Sequence, residues 1–318
     1  MTAEALEQLA STIRNSPALR AKRDLALLKR LRTPPDGDDA AAIAHGDEFL
    51  IVCGEAIQPA FVRGAPHAAG AAAVVTNVSD VRAMGGRPLG LVDMLVSPDR
   101  AHAETVLDGI AWAAELLGVE IVGGHLTLGA DEPALSASCT GLATRPLLAR
   151  NARPGDELLA AFCLDGRYGA QTLFFSSLRD RAPESLRDDG EALVEVAESG
   201  AAHAARDVSM PGVAGSLLQL LETAGCGATL ELERVPRPAG VSLERWLLTF
   251  PSFGFLLAAA PGARANAAEP FLRRGLACAP CGRLDDSRVL RLAASGHTAA
   301  LWDLNADPFT HLDPAGST

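Results

Sequence analysis

Residues 68–86 read AAGAAAVVTNVSDVRAMGG, a run of small apolar residues that is interrupted once by polar side chains. The run predicts a helix that ends at Gly85-Gly86, because glycine readily adopts the left-handed conformation found at helix C-termini. On that helix Asn77 and Asp80 lie three positions apart, so they face the same neighbour. Burying them without partners is unfavourable. Two interpretations follow: a satisfied structural network, or a metal or phosphate site.

Strand-like and helix-like segments alternate on both sides of this helix, which predicts an α+β unit. In the first half we expect helices over 3–15, 18–32 and 101–118, and strands over 49–57, 88–96, 119–128 and 134–143. In the second half we expect strands over 157–166, 227–235, 245–261 and 300–304, and helices over 189–205 and 212–225. The polar, turn-prone stretch 151–156 marks a domain boundary. The predicted organisation is a helical segment (1–35), two domains (36–149 and 150–304) and a flexible tail (305–318).

Composition narrows the class of protein. The chain has 318 residues, is 48% hydrophobic and carries a formal net charge of -11. An acidic protein without a basic cluster is a poor candidate for binding nucleic acid or anionic membranes. No uncharged apolar stretch reaches 18 residues, and the charged N-terminus does not resemble a signal peptide. Six scattered cysteines in apolar segments suggest buried thiols and a cytoplasmic location. The single CxxC, Cys278 to Cys281, has no second ligand pair at usable spacing, which disfavours a zinc or redox site.

Three further segments combine polar residues with turns at the ends of predicted elements. Gly37-Asp38-Asp39 sets two carboxylates side by side, which repel unless a cation compensates or water screens them. Gly123-Gly124-His125 ends an apolar strand, where paired glycines let backbone N–H groups approach an anion. Residues 207–215, DVSMPGVAG, enter a helix whose N-terminal N–H groups suit phosphate. Each segment taken alone also has an ordinary structural explanation, as a wet turn, a structural histidine or an N-cap.

The order of these motifs is far more specific than any one of them. GDDAA, NVSDVRAMGGRP, VGGH and DVSMPGVAGSLLQLLE together resemble the AIR synthase-like superfamily, over about Gly37 to Trp302. Within it, the second half is similar to AIR synthase-related, thiamine-monophosphate-kinase-like proteins. The resemblance implies a PurM-like two-domain α+β fold: an N-terminal α/β domain that forms a β-barrel at a dimer interface, and a C-terminal α+β sandwich domain. It also implies ATP as a ligand, with Mg²⁺ held by carboxylates.

Carried over position by position, the resemblance assigns candidate site residues. The implied metal ligands are Asp38, Asp39, Glu55, Asp80 and Asp207. The implied ATP-binding residues are Gly37, Asn77, Gly123, Gly124, Thr127, Ser209 and Gly212. The implied catalytic residues are Asp38, Asp80 and His125, with His125 as a ligand or proton shuttle.

Four positions depart from the thiamine-monophosphate kinase pattern. Glu55 replaces an aspartate ligand, His125 replaces the aspartate of the family's GGD, Met210 replaces the last aspartate of its DVSD, and Val62 replaces a histidine on the thiamine side. The nucleotide half of the site therefore looks retained, and the acceptor half looks remodelled. Selenophosphate synthesis and carbamoyl dehydration are disfavoured, because the reactive cysteines that these reactions use have no counterpart here.

We therefore expect Mg-ATP-dependent phosphoryl transfer to, or activation of, a small metabolite. The alternatives are a thiamine-monophosphate kinase and a non-catalytic nucleotide-binding subunit. The N-terminal half is too apolar for a sheet with one solvated face, which predicts a homodimer that covers it.

Overall fold

The computed structural model describes residues 1–31, 37–169 and 172–312. It contains two compact units, which are described separately below. The first unit comprises 1–38, 147–180 and 195–318, and the second comprises 39–146 and 181–194. Within the described ranges, none of the helices combines the length and the apolar composition that a bilayer-spanning segment needs.

The α-helices of the described ranges, in chain order, are α1 Ala3–Arg14, α2 Pro17–Ala21, α3 Pro59–Gly64, α4 Pro66–Ala83, α5 Arg100–Leu117, α6 Pro183–Ser199, α7 Gly212–Ala224, α8 Leu243–Leu247 and α9 Arg264–Leu272. The strands are β1 Ala41–His45, β2 Glu48–Ile57, β3 Arg87–Ser97, β4 Ile121–Leu128, β5 Ala134–Ala143, β6 Glu157–Phe162, β7 Arg167–Tyr168, β8 Phe174–Ser176, β9 Ala202–Asp207, β10 Gly227–Glu231, β11 Phe250–Pro251, β12 Gly254–Ala259, β13 Ala277–Asp285, β14 Val289–Ala294 and β15 His297–Asp303. Short 3-10 helices cover Lys22–Arg30, Ala149–Asn151 and Leu232–Arg234.

The second unit is built on a five-stranded sheet in the order β1-β2-β5-β3-β4. All neighbours are antiparallel except β3 and β4, which are parallel and joined through α5. Because β1 and β4 are edges, the sheet is open within the described chain. Helix α4 packs on β2, β5 and β3 and covers one face. On the opposite face, which we call the open face, side chains are half-buried or exposed.

The small residues of α4 allow two helices to approach closely. A Cβ atom at Gly70 would lie 2.1 Å from the carbonyl oxygen of Val106, and one at Gly109 would lie 2.0 Å from that of His67. Such distances leave no room for a side chain, so α4 and α5 touch backbone to backbone. Helix α4 is buried on almost every side, which explains why it shows no amphipathic period.

The first unit contains a seven-stranded sheet in the order β15-β14-β10-β13-β6-β12-β9, and a small sheet of β11, β8 and β7. Helix α1 lies on β15 and buries Leu6, Leu9 and Ile13. Helix α7 is buried along almost its whole length and joins the same apolar core. Helix α1 is thus packed against the sheet of the first unit, whereas the 3-10 helix Lys22–Arg30 buries none of its residues.

The expected α+β architecture with two compact units is confirmed. Helix 3–15 appears as α1, helix 68–86 as α4 and helix 101–118 as α5. The strands expected at 49–57, 88–96, 119–128 and 134–143 appear as β2, β3, β4 and β5. Gly85 and Gly118 have φ angles of 71° and 69°, the left-handed conformation that ends the preceding helices.

Two expectations for the second half are wrong. The helix expected over 189–205 ends at Ser199, and residues 202–207 form β9 instead. Gly200, with a φ of 71°, breaks the helix between them. The strand expected over 245–261 begins as α8, which Ser242 caps through its side chain, and only then continues as β11 and β12. The helix expected over 18–32 is divided into α2 and a 3-10 helix, and its last residue lies outside the described residues.

Part of the expected flexible tail is well packed. Phe309 is fully buried and Leu312 is almost so. The Phe309 ring meets Trp302 edge-on, with centroids 5.3 Å apart. Phe309, Thr310 and Leu312 are therefore buried in the first unit, whereas 313–318 lie outside the described residues.

The contact between α4 and α5 gives a stability prediction. We expect Gly70→Ala to destabilise the protein by about 1–3 kcal/mol in urea unfolding, because the added methyl group would overlap a backbone carbonyl. The matched control is Gly64→Ala, where an added Cβ meets no heavy atom within 4 Å, and a change within about 0.5 kcal/mol is expected. Equal stability of the two variants would show that the helices are not in such close contact.

Candidate metal centre

Two carboxylates of the second unit lie close together. Oxygen atoms of Asp39 and Asp80 are within 4.8 Å of each other. Asp80 is buried on the last turn of α4, and Asp39 is half-buried just before β1. Two such charges repel unless a cation or proton compensates. An ion with oxygen ligands about 2.0–2.6 Å away fits between oxygens at this separation, so the donor set suits Mg²⁺ or Ca²⁺.

The two aspartates of the GDD motif have different surroundings. Both carboxylate oxygens of Asp38 accept a hydrogen bond from the backbone N–H of Ala149, at 3.1 Å each. Asp38 thereby joins residue 38 to residue 149, both of which belong to the first unit. The structure thus brings Asp39 next to Asp80 and places Asp38 against a backbone donor. The metal and catalytic roles of Asp38 stay predictions.

Asn77, one turn before Asp80, forms a satisfied network. It is fully buried, and its amide nitrogen donates to the carbonyl oxygen of Ala73 at 2.8 Å. The thiol of Cys53 donates to the Asn77 side-chain oxygen at 3.4 Å. Of the two interpretations left open, the structural one therefore describes these contacts. The contact of Asn77 with ATP stays a prediction.

The thiols beneath Asp80 are held in their protonated form. Burial is the main cause that raises the pKa of Cys53 and of Cys139, the latter to about 11, and the nearby Asp80 charge adds to the rise in both. These two cysteines face each other across β2 and β5. The thiols of Cys53 and Cys139 near Asp80 are thus uncharged, and each carries an S–H donor.

The two sulfurs of the CxxC are likewise buried. Burial raises the pKa of Cys278 to about 12, which disfavours metal binding there.

A carboxylate that the sequence reasoning missed lies in the same sheet. The register places Glu55, Ala137, Asp93 and Gly124 in one row across β2, β5, β3 and β4. Asp93 is 6% exposed, and burial raises the pKa of its carboxyl group above the ordinary value. A single aspartate inside the apolar strand PLGLVDMLV was the available signal, because a buried ionisable group is rarely structural alone.

The row explains one glycine of the predicted phosphate loop. A Cβ at Gly124 would lie 2.4 Å from the Oδ1 atom of Asp93, whereas one at Gly123 would meet only Val92, at 3.6 Å. Gly124 thus leaves room for the neighbouring carboxylate. Phosphate binding at Gly123 and Gly124 stays a prediction.

His125 and Thr127 lie on the other face of the sheet. They pair with Met94 and Val96 of β3, and side chains alternate between faces along a strand. Asp93 and Glu55 share the face that α4 covers, so His125 points away from Asp80 within one chain. The structure therefore does not bring His125 together with the acidic pair.

The remaining predicted residues belong to the first unit. Asp207 is buried and ends β9, and the backbone N–H of Ser209 donates to the hydroxyl of Ser216 at 3.0 Å. Gly212 begins α7 with a φ of 70°, and a Cβ there would lie 2.2 Å from the carbonyl oxygen of Leu247. Packing and backbone conformation thus favour glycine at position 212, independently of any ligand at the N-terminus of α7.

Two arginines, one just before α6 and one within it, have protein partners. Arg181 forms a paired contact with the buried Asp189, at 2.5 and 2.8 Å. Arg187 donates to the carbonyl oxygen of Glu115 at 2.7 Å. Arg82 is buried beside them, and desolvation lowers its pKa to about 10 against the opposing charge of Asp189. Arg181 is thus paired with a buried carboxylate, whereas Arg187 is hydrogen-bonded but exposed.

The raised pKa of Asp93 gives a pH-dependent prediction. An acid whose folded pKa lies above 3.8 is less favourable when ionised in the folded state than in the unfolded state, so it destabilises the fold at neutral pH. We expect Asp93→Asn to raise the melting temperature at pH 7, and the gain to vanish as the pH falls below 3.8. Asp108→Asn, exposed on α5, is the matched control. A melting temperature at pH 7 lowered by Asp93→Asn would contradict this assignment.

Solved structures share this fold. PurL of Thermotoga maritima complexed with ATP aligns with a TM-score of 0.79 at 20% identity, over 96% of this chain and 52% of that one. AaThiL complexed with AMPPCP and TMP aligns with a TM-score of 0.66 at 20% identity, over 87% of this chain and 94% of that one. At these identities the likeness concerns the fold, and this chain spans about half of the PurL chain.

Sequence relatives give the family. A Synechocystis protein described as uncharacterized protein sll0787 is 33% identical over 286 residues, 86% of this chain and 85% of the relative. The PurL subunit of Thermomicrobium roseum is 28% identical over 83% of this chain, but only 39% of its own length. Family models described as AIR synthase related protein, N-terminal and C-terminal domain, match residues 37–143 and 170–294. The chain therefore belongs to the AIR synthase related protein family.

Proposed function

We propose that this protein binds ATP together with Mg²⁺ and uses it to phosphorylate, or otherwise activate, a small metabolite. The observation that carries the proposal is the pair of close carboxylates, Asp39 and Asp80, on the GDD and NVSD motifs. PurL and ThiL structures of the same fold hold ATP or AMPPCP. Mg²⁺ prefers oxygen ligands and bridges to phosphates, which lets a net-acidic protein bind a polyanion.

The proposed ligand set extends beyond the pair. Asp39 and Asp80 hold the metal, and we propose that Asp38, Glu55 and Asp207 contribute further oxygens. Bound Mg²⁺ supplies the charge that neutralises the phosphates, and phosphoryl transfer depends mostly on such positioning and neutralisation. The proposed ATP contacts are the backbone at Gly37, Gly123, Gly124 and Gly212 and the side chains of Asn77, Thr127 and Ser209.

Two residues distinguish the acceptor half of the proposed site from that of a thiamine-monophosphate kinase. Val62 is fully buried, and Met210 is 46% exposed at the entry to α7. Neither side chain can coordinate Mg²⁺ or donate a hydrogen bond to a phosphate. We therefore propose a small-molecule acceptor other than thiamine phosphate, with thiamine-monophosphate kinase activity as the second candidate.

We also propose a cytoplasmic location, which the six buried free thiols fit.

The central prediction concerns Mg²⁺-dependent nucleotide binding. We expect a non-hydrolysable ATP analogue to raise the melting temperature only when Mg²⁺ is present. A ligand that binds only the folded state at a hundredfold excess over its Kd adds about 2.7 kcal/mol to the free energy of unfolding. Asp80→Asn should abolish the Mg²⁺-dependent part, and Asp207→Asn should reduce it. Asp108→Asn is the matched control in the second unit and should behave as the unmodified protein.

Turnover then separates the candidate activities. ADP release should require both Mg²⁺ and one member of a metabolite library, and it should be lost in Asp80→Asn. Formation of thiamine diphosphate from thiamine phosphate would favour the kinase. Nucleotide binding with no turnover, unchanged by Asp80→Asn, would favour a non-catalytic subunit. The absence of any shift at millimolar analogue would remove all three.

We also propose that the open face is covered by a second copy of the chain, as the resemblance implies for the barrel at the dimer interface. Apolar side chains lie along this face in several strands, including Ile43 at 53% and Met94 at 42% exposure. Leu50, Val92 and Val96 extend the patch and are only half-buried. Exposed apolar surface spread over neighbouring strands is typical of a protein interface.

The dimer proposal predicts a change of oligomeric state. We expect the unmodified protein to sediment as a dimer at micromolar concentration, and Met94→Lys to sediment as a monomer, because a buried unpaired charge disfavours association. Leu272→Lys, at a somewhat more exposed apolar position on α9 in the first unit, is the control and should remain dimeric. A monomeric unmodified protein would count against the proposal.

A further inference from the structure

The segment 305–312, which we call the C-terminal strap, is tied down at several points of the first unit. Arg23 forms a paired ion contact with Asp307, at 2.7 and 2.8 Å. The indole N–H of Trp302 donates to the carbonyl oxygen of Asp307 at 2.6 Å. Phe309 fills the core beside Trp302. The strap is therefore a fixed part of the unit.

One buried carboxylate organises the end of the strap. Glu222, on the last turn of α7, is 2% exposed. It accepts hydrogen bonds from the backbone N–H groups of Phe309, Thr310 and His311, at 2.6, 2.8 and 3.2 Å, and from the hydroxyl of Thr310. His311 has a φ of 60°, a left-handed conformation that is uncommon for residues other than glycine. The strap thus folds its donors around a single anion, as in a backbone nest.

The same strap reaches the GDD turn. A Cβ at Gly37 would lie 3.7 Å from the Leu312 Cβ and 2.7 Å from the hydroxyl oxygen of Thr223, the residue after Glu222. The carbonyl oxygen of Gly37 accepts from the guanidinium of Arg206 at 2.7 Å. Gly37 itself has a φ of 81°, which a residue with a side chain would rarely adopt. The strap, α7 and β9 therefore enclose the turn from different sides, all within the first unit.

We infer that Glu222 is a positioning residue for the proposed metal centre, acting through the C-terminal strap on the turn that carries Asp38 and Asp39. The inference rests on the proposed function, because it assigns the consequence to metal affinity. Groups that orient metal ligands without touching the metal commonly change affinity by tenfold to a hundredfold. The space at Gly37 is bounded by Leu312 of the strap and Thr223 of α7, so detachment of the strap would remove one boundary of the turn.

The test uses Glu222→Gln, which keeps the shape of the side chain but sets an amide NH₂ group against N–H donors. The probe is Mn²⁺, a paramagnetic stand-in for Mg²⁺, titrated into the full chain and followed by electron paramagnetic resonance. We expect binding at least tenfold weaker than in the unmodified protein. Amide hydrogen exchange of the peptide covering 37–45 should also become faster.

The matched control is Asp156→Asn, another buried carboxylate of the first unit. Asp156 accepts from the backbone N–H of Arg153 and pairs with His203, outside the strap. This variant should lose stability yet keep Mn²⁺ affinity and slow exchange at 37–45. If Glu222→Gln fails to fold, Leu312→Ala, which removes the side chain nearest Gly37, should show the same two effects.

The outcomes separate the inference from the function on which it rests. Unchanged Mn²⁺ affinity and unchanged exchange in Glu222→Gln would overturn the positioning role while leaving the metal centre intact. If the unmodified protein binds no Mn²⁺, the proposed function fails. The amide exchange of residues 37–45 then tests by itself whether Glu222 holds the turn through the strap. Faster exchange in Glu222→Gln than in Asp156→Asn then supports the contact, and equal rates overturn it.

Discussion

Repulsion between two nearby carboxylates is the constraint on which the second unit depends. Asp80 is presented by a helix that is buried on nearly every side, so its carboxylate cannot swing away into water. Asp39 approaches it from the GDD turn. The backbone contact between α4 and α5 at Gly70 fixes the helix, and the thiols of Cys53 and Cys139 near Asp80 are uncharged. A cation between the two carboxylates would relieve their mutual repulsion, and this supports the proposed metal centre.

The structure also shows why a motif match and a geometric site are different things. The GDD motif supplies two aspartates, yet Asp38 caps the chain at Ala149 while Asp39 faces Asp80. Gly124 looks like part of a phosphate loop, yet its missing side chain makes room for Asp93. Residues that resemble a family signature can thus have packing roles as well as chemical ones.

Sequence patterns predicted the local elements better than the site. Helices α4 and α5 and strands β2, β3 and β5 follow from hydrophobic runs and glycine stops. Strand β9 was missed because its alanine-rich sequence suits either helix or strand, and only Gly200 separates it from α6. The face on which His125 lies depends on strand register, which is set by partners distant in sequence. Asp93 escaped notice because one acid in an apolar strand acquires meaning only beside the row that it shares with Glu55.

The glycines of the second unit differ in how far they restrict evolutionary drift. Gly70 and Gly109 each oppose a carbonyl oxygen of the facing helix, and no substitution elsewhere can delete a backbone atom. Gly190 instead opposes the buried guanidinium of Arg82, at 2.2 Å from its Nε. A lineage that first exchanged Arg82 for a shorter residue would open position 190 to alanine, whereas the reverse order would pass through an overcrowded intermediate. The first two positions are closed to such paths altogether, and the third is closed only until its neighbour changes.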